Sequence, residues 1–540
     1  MFMKSLKINN FRKFGTNNNT IEFVEASSYR EESDEEEINL APTTTLIVGK
    51  NNSGKTTITK ALSKLINSKN FSANDFNFTY LDNLLGKYKE LNNEGKLEKN
   101  AVLPVLEFKI IIGLEDETNN LVTNLASFMD IGNTNKSEVE IIVKYEIADR
   151  DVFIKNVKEL LNKEMPEERD KFKKFLELID GSSFKLNYYD TNGSLKEKFN
   201  LKDLIEIKTI KANKIESSKA LSKSFSTIIK YRYIMDENKK NDLEDDIMDI
   251  NKRVTSEITN THTKNINKAL GKIESNDKLE VQLSSDLTFK KLMNNLIRYE
   301  YIEQDHHIPE GQFGLGYTNL MAIIADIIDY IEKYPDKAFN SNINMISIEE
   351  PETFMHPQMQ QLFIKHINDA VNYLLKRTGK NVNSQLVITT HSSNILNSKI
   401  HTGNTFNNIT YVTIDNSYSD VVNLKDSKVE PNTETRENDL NFLKKHIKYK
   451  VSELFFSDSI IFVEGITEET LLNYYIDNDP ELNKFYISIF NIDGAHGLVY
   501  HKLIKLLKVP TIIITDIDIK REDNEKEHFR QIQNISNRVT

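Results

Sequence analysis

The feature that most constrains this 540-residue chain is a short apolar strand running without a break into a glycine-bearing turn. Leu46, Ile47 and Val48 lead into Gly49-Lys50-Asn51-Asn52-Ser53-Gly54-Lys55-Thr56-Thr57, and a helical pattern starts near Lys55. Glycines at this spacing let backbone N–H groups wrap a phosphate chain at a helix N-terminus. In such a loop Lys55 holds the β- and γ-phosphates of ATP, and the Thr56 hydroxyl a magnesium ion. Gly49, Asn51, Asn52, Ser53, Gly54, Lys55, Thr56 and Thr57 are therefore the candidate nucleotide-binding residues. A strand–loop–helix unit of this kind belongs in an α/β fold with a parallel sheet.

Two further strand ends carry matching chemistry. Met345 to Glu352 (MISIEEPE) is an apolar strand ending in consecutive carboxylates. Phosphoryl transfer needs charge neutralisation and an oriented water. Glu349 fits the first role as a magnesium ligand, direct or through water, and Glu350 the second. Taken alone, the same residues also read as an acidic helix start favoured by the helix dipole. Gln385 to Thr390 (QLVITT) delivers His391 to the end of a third strand, where an imidazole can contact the γ-phosphate. A single histidine after a strand is more often structural, and it is the presence of the loop that raises its standing. Gly314-Leu315-Gly316-Tyr317-Thr318-Asn319 opens a helix before the acidic strand, and its amides suit an anion.

A second carboxylate set lies near the end of the chain. The strand Ser459 to Val463 is followed by Glu464-Gly465-Ile466-Thr467-Glu468, and the strand 511–515 by Asp516-Ile517-Asp518. A third apolar strand, 486–490, stands between them, with helical patterns separating all three, which predicts parallel βαβ units. In an open parallel sheet, chemistry gathers at the carboxyl ends of the strands. Converging carboxylates repel unless a divalent cation sits among them. With no cysteine in the chain, any metal rests on oxygen or imidazole, which favours Mg2+ or Mn2+. Glu464, Glu468, Asp516 and Asp518 are the candidate ligands of a site that can polarise a phosphodiester.

The net charge of −11 supplies no global attraction to nucleic acid, so any such binding requires a local basic groove. No apolar run approaches the ~18 residues of a membrane span, and the N-terminus alternates like a strand without a signal-peptide block. No membrane partner is expected, and the expected compartment is the cytoplasm. Residues 101–113, 138–147 and 184–189 predict antiparallel strands, and 151–179 and roughly 220–272 predict helices. The acidic run Glu31 to Glu37 reads as a solvated loop.

The opening LKINNFRKF resembles the N-terminal strand of RecF- and SMC-like ABC ATPases, and IEEPETFMHP with TTHSSNIL resembles the overcoming-lysogenisation-defect (OLD) family of ATP-dependent nucleases. The resemblance covers both ends of the chain and leaves roughly 60–300 uncovered. It implies an ABC-type P-loop ATPase with an inserted helical region, followed by a parallel-sheet TOPRIM-like domain. The corresponding division is 1–150 and 286–440 for the ATPase, 151–285 for the inserted dimerisation region and 450–540 for the TOPRIM-like domain.

Within that resemblance Gly314, Gly316 and Asn319 serve as the signature that completes a second subunit's site, so a homodimer or larger is expected. Glu464 serves as metal ligand or acid/base, and Asp516, Asp518 and Glu468 as metal ligands. Glu349 stands where the family usually has aspartate, and GLGYTN lacks the LSGG form of transporters. TOPRIM nucleases of the family carry further acidic residues and a lysine after the DxD element. The chain runs 22 residues past Asp518, so its TOPRIM-like domain is expected to be incomplete. The function implied is an ATP-regulated DNA endonuclease in anti-phage defence, working with a helicase-like or other defence subunit. The competing expectation is an ABC-type DNA sensor or clamp with a non-cleaving C-terminal domain.

Overall fold

Alternation of buried and half-exposed residues along Val105–Gly113 (β4) and Glu138–Ile147 (β5) gives each strand one apolar face, the pattern of an antiparallel sheet covered on one side. In the computed structural model these join Phe2–Asn9 (β1), Thr20–Glu22 (β2) and Phe184–Tyr189 (β6) in an antiparallel sheet of order β2-β1-β4-β5-β6. The structure describes residues 1–24, 44–67, 70–114, 122–129, 137–163, 165, 167–212, 221, 222, 225, 226, 228, 229, 237–272, 281–289, 291, 292, 300–303, 305–312, 314–333, 342–377, 384–431, 436–447, 452–492 and 497–515. The acidic run from Glu31 to Glu37 lies outside them.

A second sheet holds the strands that are apolar throughout. Thr44–Val48 (β3) is buried at every position, as is Ile343–Glu349 (β10). Ser384–Thr390 (β11) is buried at all but its first residue. Burial on both faces is what a parallel sheet demands. With Ile205–Lys211 (β7), Ile409–Asp415 (β12) and Tyr418–Leu424 (β13) the order is β13-β12-β3-β11-β10-β7, parallel except for the β12–β13 hairpin. Register sets Glu349 level with Thr389 and with Lys211, and Thr390 level with Val48. The ends of β3, β11 and β10 thus open on one edge. Helix Lys55–Ile66 (α1) leaves that edge directly after β3 and buries Ile58, Ala61, Leu62 and Leu65.

Near the C-terminus, Ser459–Val463 (β14), Ile487–Asn491 (β15) and Thr511–Ile514 (β16) form a parallel sheet of order β15-β14-β16. The contacts divide the chain into two compact units, 1–211 with 336–352 and 356–540, and 212–335 with 353–355. The second contains the hairpin Glu300–Glu303 (β8) and His306–Pro309 (β9), and the helices Glu237–Ile258, Lys264–Leu270 and Leu315–Lys333. No described helix is long and apolar enough to cross a membrane.

Several elements differ from expectation, each for a local reason. β4 begins after Pro104, which has no N–H for the ladder. The helix expected over 151–179 is two, Arg150–Asn162 and Glu168–Gly181, with Pro166 between them in sequence. The expected inserted region 151–285 overlaps the first unit: β6 and β7 fall inside that range yet belong to the two large sheets. The β12–β13 hairpin was not anticipated from sequence; its turn places Asn416 and Ser417 at φ 46° and 72°, the left-handed pair that matches strand twist.

Candidate active site

The loop between β3 and α1 is held by neighbours that leave no room for side chains. Gly49 sits at φ 150°, and a Cβ there would lie 2.0 Å from the Val412 carbonyl oxygen, so only glycine fits. The Ser419 hydroxyl donates to the Ser53 carbonyl at 2.6 Å, tying the loop to the hairpin. Asn51 and Asn52 are exposed, while Ser53 and Lys55 are buried. The Ser53 hydroxyl is buried and has no hydrogen-bond partner among the described residues, as expected of a loop shaped to receive a further polar ligand. Gly54 precedes α1 at φ 113° and its carbonyl accepts from Thr57 N at 3.0 Å. Thr56 is half-buried at the helix start.

Lys55 is 3% exposed and folds back on its own loop. Its Nζ donates to the carbonyls of Gly49 and Lys50 and lies 3.0 Å from His391 Nδ1. Burial lowers its pKa to about 7, against the opposing charges of Glu350 and Glu352. His391 is likewise held below its ordinary value, first by burial and then by the Lys55 charge, while Glu350 pulls it up. Its Nε2 is 3.5 Å from Glu350 Oε1.

Glu349 is nearly buried, accepts from the Thr59 hydroxyl, and stands 3.5 Å from Lys211 Nζ. Glu350 follows at φ 51°, a conformation that a non-glycine residue adopts at a cost of about 1–3 kcal/mol and that recurs at functional sites. Its amide donates to the Thr389 carbonyl at 2.9 Å, joining the ends of β10 and β11. The structure therefore gathers Lys55, Glu349, Glu350 and His391 at one sheet edge, where Lys55 and His391 line an open cleft of about 610 Å³.

Other cleft residues were not anticipated. Arg12, Lys13 and Lys60 line it with Phe76 and Phe78, adding positive charge where a polyphosphate would lie. Lys13 Nζ donates to the Asn52 carbonyl at 2.7 Å, and Arg12 pairs with the buried Asp75 at 2.8 Å. The signal for both was the FRKF segment, which carried a strand pattern and a resemblance but no role. Thr59, Lys211 and Glu352 were also missed, because their part depends on strand order.

Gly314–Asn319 opens helix Leu315–Lys333 as expected from sequence, within the second unit. Gly314 has open space around it, whereas a Cβ on Gly316 would lie 2.8 Å from the Phe354 carbonyl oxygen. Asn319 Nδ2 donates to the Thr353 carbonyl at 2.7 Å. Gly316 and Asn319 thus have packing duties inside their own unit.

Of the second carboxylate set, Glu464 follows β14 and is half-buried, and Glu468 stands in the first turn of helix Ile466–Asn478 with its carboxylate folded against Gly465. Asp516 and Asp518 lie outside the described residues. Among the described residues no three acidic or histidine side chains are gathered closely enough to hold a metal. The sheet does place β16 beside β14, with Ile514 level with Val463, so both strands end at the same edge.

Comparison with known proteins completes the assignment. An AAA ATPase domain model matches residues 1–396. An overcoming-lysogenisation-defect protein-like TOPRIM domain model matches 455–518. Endonuclease GajA of Bacillus cereus is 59% identical over 549 residues, covering 100% of this chain and 80% of that protein. An OLD nuclease of Thermus scotoductus is 24% identical over 250 residues, covering 44% of this chain and 43% of that one. An SMC head bound to the C-terminal winged-helix domain of ScpA aligns with 79% of this chain and 98% of that chain at 13% identity and a TM-score of 0.34, too loose a likeness to add to the fold above. The chain matches both an ATPase and a TOPRIM domain, and domains of these kinds use a nucleotide and a divalent metal. A chain that matches both models and shares 59% of its residues with Endonuclease GajA along its whole length belongs to the OLD family of ATPase–TOPRIM nucleases.

Proposed function

We propose that this chain is an ATP-binding and ATP-hydrolysing, Mg2+- or Mn2+-dependent DNA endonuclease of OLD type that serves in anti-phage defence in the cytoplasm. The observation that carries the ATPase half is the gathering of Lys55, Glu349, Glu350 and His391 around the loop at Gly49–Thr56. Lys55 holds the β- and γ-phosphates, Glu350 orients the attacking water and His391 contacts the γ-phosphate. Thr56 and Glu349 would hold the magnesium ion, which when bound would neutralise charge developing on the phosphates. Support for the cleavage half comes from the TOPRIM match and from Glu464 at the end of β14. Glu464, Asp516 and Asp518, with Glu468, would hold the cleavage metal, which when bound would supply charge stabilisation to the attacking and leaving oxygens of a phosphodiester. Cleavage of supercoiled plasmid, assayed with and without ATP in magnesium and in manganese, tests the proposal. Plasmid left intact in every metal and nucleotide condition would sink it.

Assembly belongs to the same proposal. The chain acts as a homodimer or larger, with Gly314, Gly316 and Asn319 completing the nucleotide site of a neighbouring subunit, and it works alongside a helicase-like or other defence subunit. Because Gly314 has room for a side chain and Gly316 has none, Gly314→Asp is the variant that tests this without disturbing packing. Mixed assemblies of Lys55→Ala and Gly314→Asp chains should recover roughly a quarter to a half of the ATP turnover that each variant lacks alone, since some pairs keep one intact site. Verified mixed assemblies without recovery would place the whole site within one chain.

A further inference from the structure

Glu352 stands outside the roles assigned so far, yet it makes the contact that fixes His391. Its Oε1 accepts the His391 backbone N–H at 2.6 Å. The Thr390 hydroxyl adds a second hydrogen bond, and Glu352's own amide a third. The other oxygen, Oε2, is buried and has no partner among the described residues. Burial raises the pKa of this carboxyl above the ordinary glutamate value, with the nearby Glu350 charge adding to the rise and those hydrogen bonds opposing it. A carboxyl is costly to keep in such surroundings unless its bonds serve a purpose.

The purpose is legible in the two turns it joins. Glu349, Glu350 and Glu352 follow one another at the end of β10, and Thr390 and His391 at the end of β11. The Glu350 amide ties the first turn to the second through the Thr389 carbonyl at 2.9 Å. The Glu352 carboxyl ties the second turn back to the first through the His391 amide. Between these two bonds the imidazole is held with Nδ1 3.0 Å from Lys55 Nζ and Nε2 3.5 Å from Glu350 Oε1. Releasing the His391 amide would free the turn to rotate, and both side-chain distances would go with it.

We infer that Glu352 is a positioning residue of the ATPase site, whose carboxyl oxygen sets the backbone of His391 and thereby the spacing of Lys55, His391 and Glu350. The inference rests on the ATPase reading above, and it turns on reach rather than on charge. Glutamine keeps the length and the acceptor oxygen but carries no charge. Aspartate keeps the charge but is one methylene short of the His391 amide.

The test compares Glu352→Gln with Glu352→Asp in the full chain. Glu352→Asp is expected to lower kcat for ATP about tenfold or more, the loss that follows when a hydrogen bond orienting a catalytic group is removed. KM for ATP should stay within about threefold, because Lys55 and the loop are untouched. Glu352→Gln should stay within about threefold of the parent in both constants. In the nucleotide-free chain, the His391 imidazole resonance, followed with selectively labelled histidine, should move in Glu352→Asp and stay in Glu352→Gln. Full activity and an unmoved resonance in Glu352→Asp would overturn the inference. So would the reverse order, with Glu352→Gln inactive and Glu352→Asp normal, since charge rather than reach would then be at work. The resonance reads His391 directly, so it decides the matter even if the parent chain fails to hydrolyse ATP, a result that would count against the proposed function instead.

Discussion

Replacing Lys55 by alanine is expected to reduce ATP turnover by about a hundredfold or more, the scale seen when a preorganised charge facing a transferring group is removed. The same change should abolish the stabilisation that ATP confers on the folded chain, which for the parent amounts to about 2.7 kcal/mol at a hundredfold excess over Kd. The geometry separates this loss from unfolding. Lys55 is buried, with its pKa lowered to about 7 by desolvation, so the fold gives up solvation energy to keep an ammonium there. Removing the side chain relieves that cost, and the melting temperature without nucleotide should stay level or rise. Glu350→Gln should behave differently: it keeps the loop intact, binds ATP and still shows the thermal shift, but loses about 10²–10⁴ in kcat as a general base is lost. A Lys55→Ala chain that still melts higher with ATP, or a Glu350→Gln chain with full turnover, contradicts the roles given to these residues.

How much of this could be read beforehand follows from what each element owes to its own residues. α1 starts at Lys55 as expected, because an apolar strand, two glycines and a helix start are all local signals. The strands Glu138–Ile147, Phe184–Tyr189 and Ser459–Val463 agree with expectation to the residue, since alternation or continuous apolar character is written into their own composition. β7 was not expected: Ile205–Lys211 carries Glu206, Lys208 and Lys211 among its seven residues, and it becomes a strand by pairing with β10 at the sheet edge. The β12–β13 hairpin was missed because its turn, Asn416–Ser417, has no glycine, although both residues take left-handed conformations.

The same division runs through the nucleotide site. Glu349, Glu350 and His391 were legible because each ends a buried strand. Thr59, Lys211 and Glu352 were not, because they matter only once the order β3-β11-β10-β7 has set those strand ends side by side. Sequence gives the ends of strands, while the order in which they lie beside one another is a property of the packed sheet.

The second large effect is expected at Glu464, and it falls on DNA cleavage alone. β14 belongs to a different sheet from β3, β10 and β11, and Glu464 is separated in sequence from Lys55, Glu349 and His391 by whole elements. Glu464→Ala removes one carboxylate from the proposed cleavage metal, where several kcal/mol of charge stabilisation are at stake, so plasmid cleavage should fall by at least about a hundredfold. ATP turnover should stay within about twofold, because no residue that touches the phosphates is altered. Glu469→Ala serves as the control, being a carboxylate in the helix Ile466–Asn478 that follows Glu464, with no assigned role; both activities should survive it. The register sets Val463 level with Ile514, the last residues of β14 and β16, and in sequence Asp516 comes two residues after Ile514 where Glu464 comes one after Val463. Asp516→Ala should therefore reproduce the Glu464→Ala loss, and the double variant should be little worse than either single one, as expected when two ligands serve one ion. Cleavage that survives Glu464→Ala would remove Glu464 from the site, and losses that simply multiply in the double variant would mean that the two carboxylates act on separate steps.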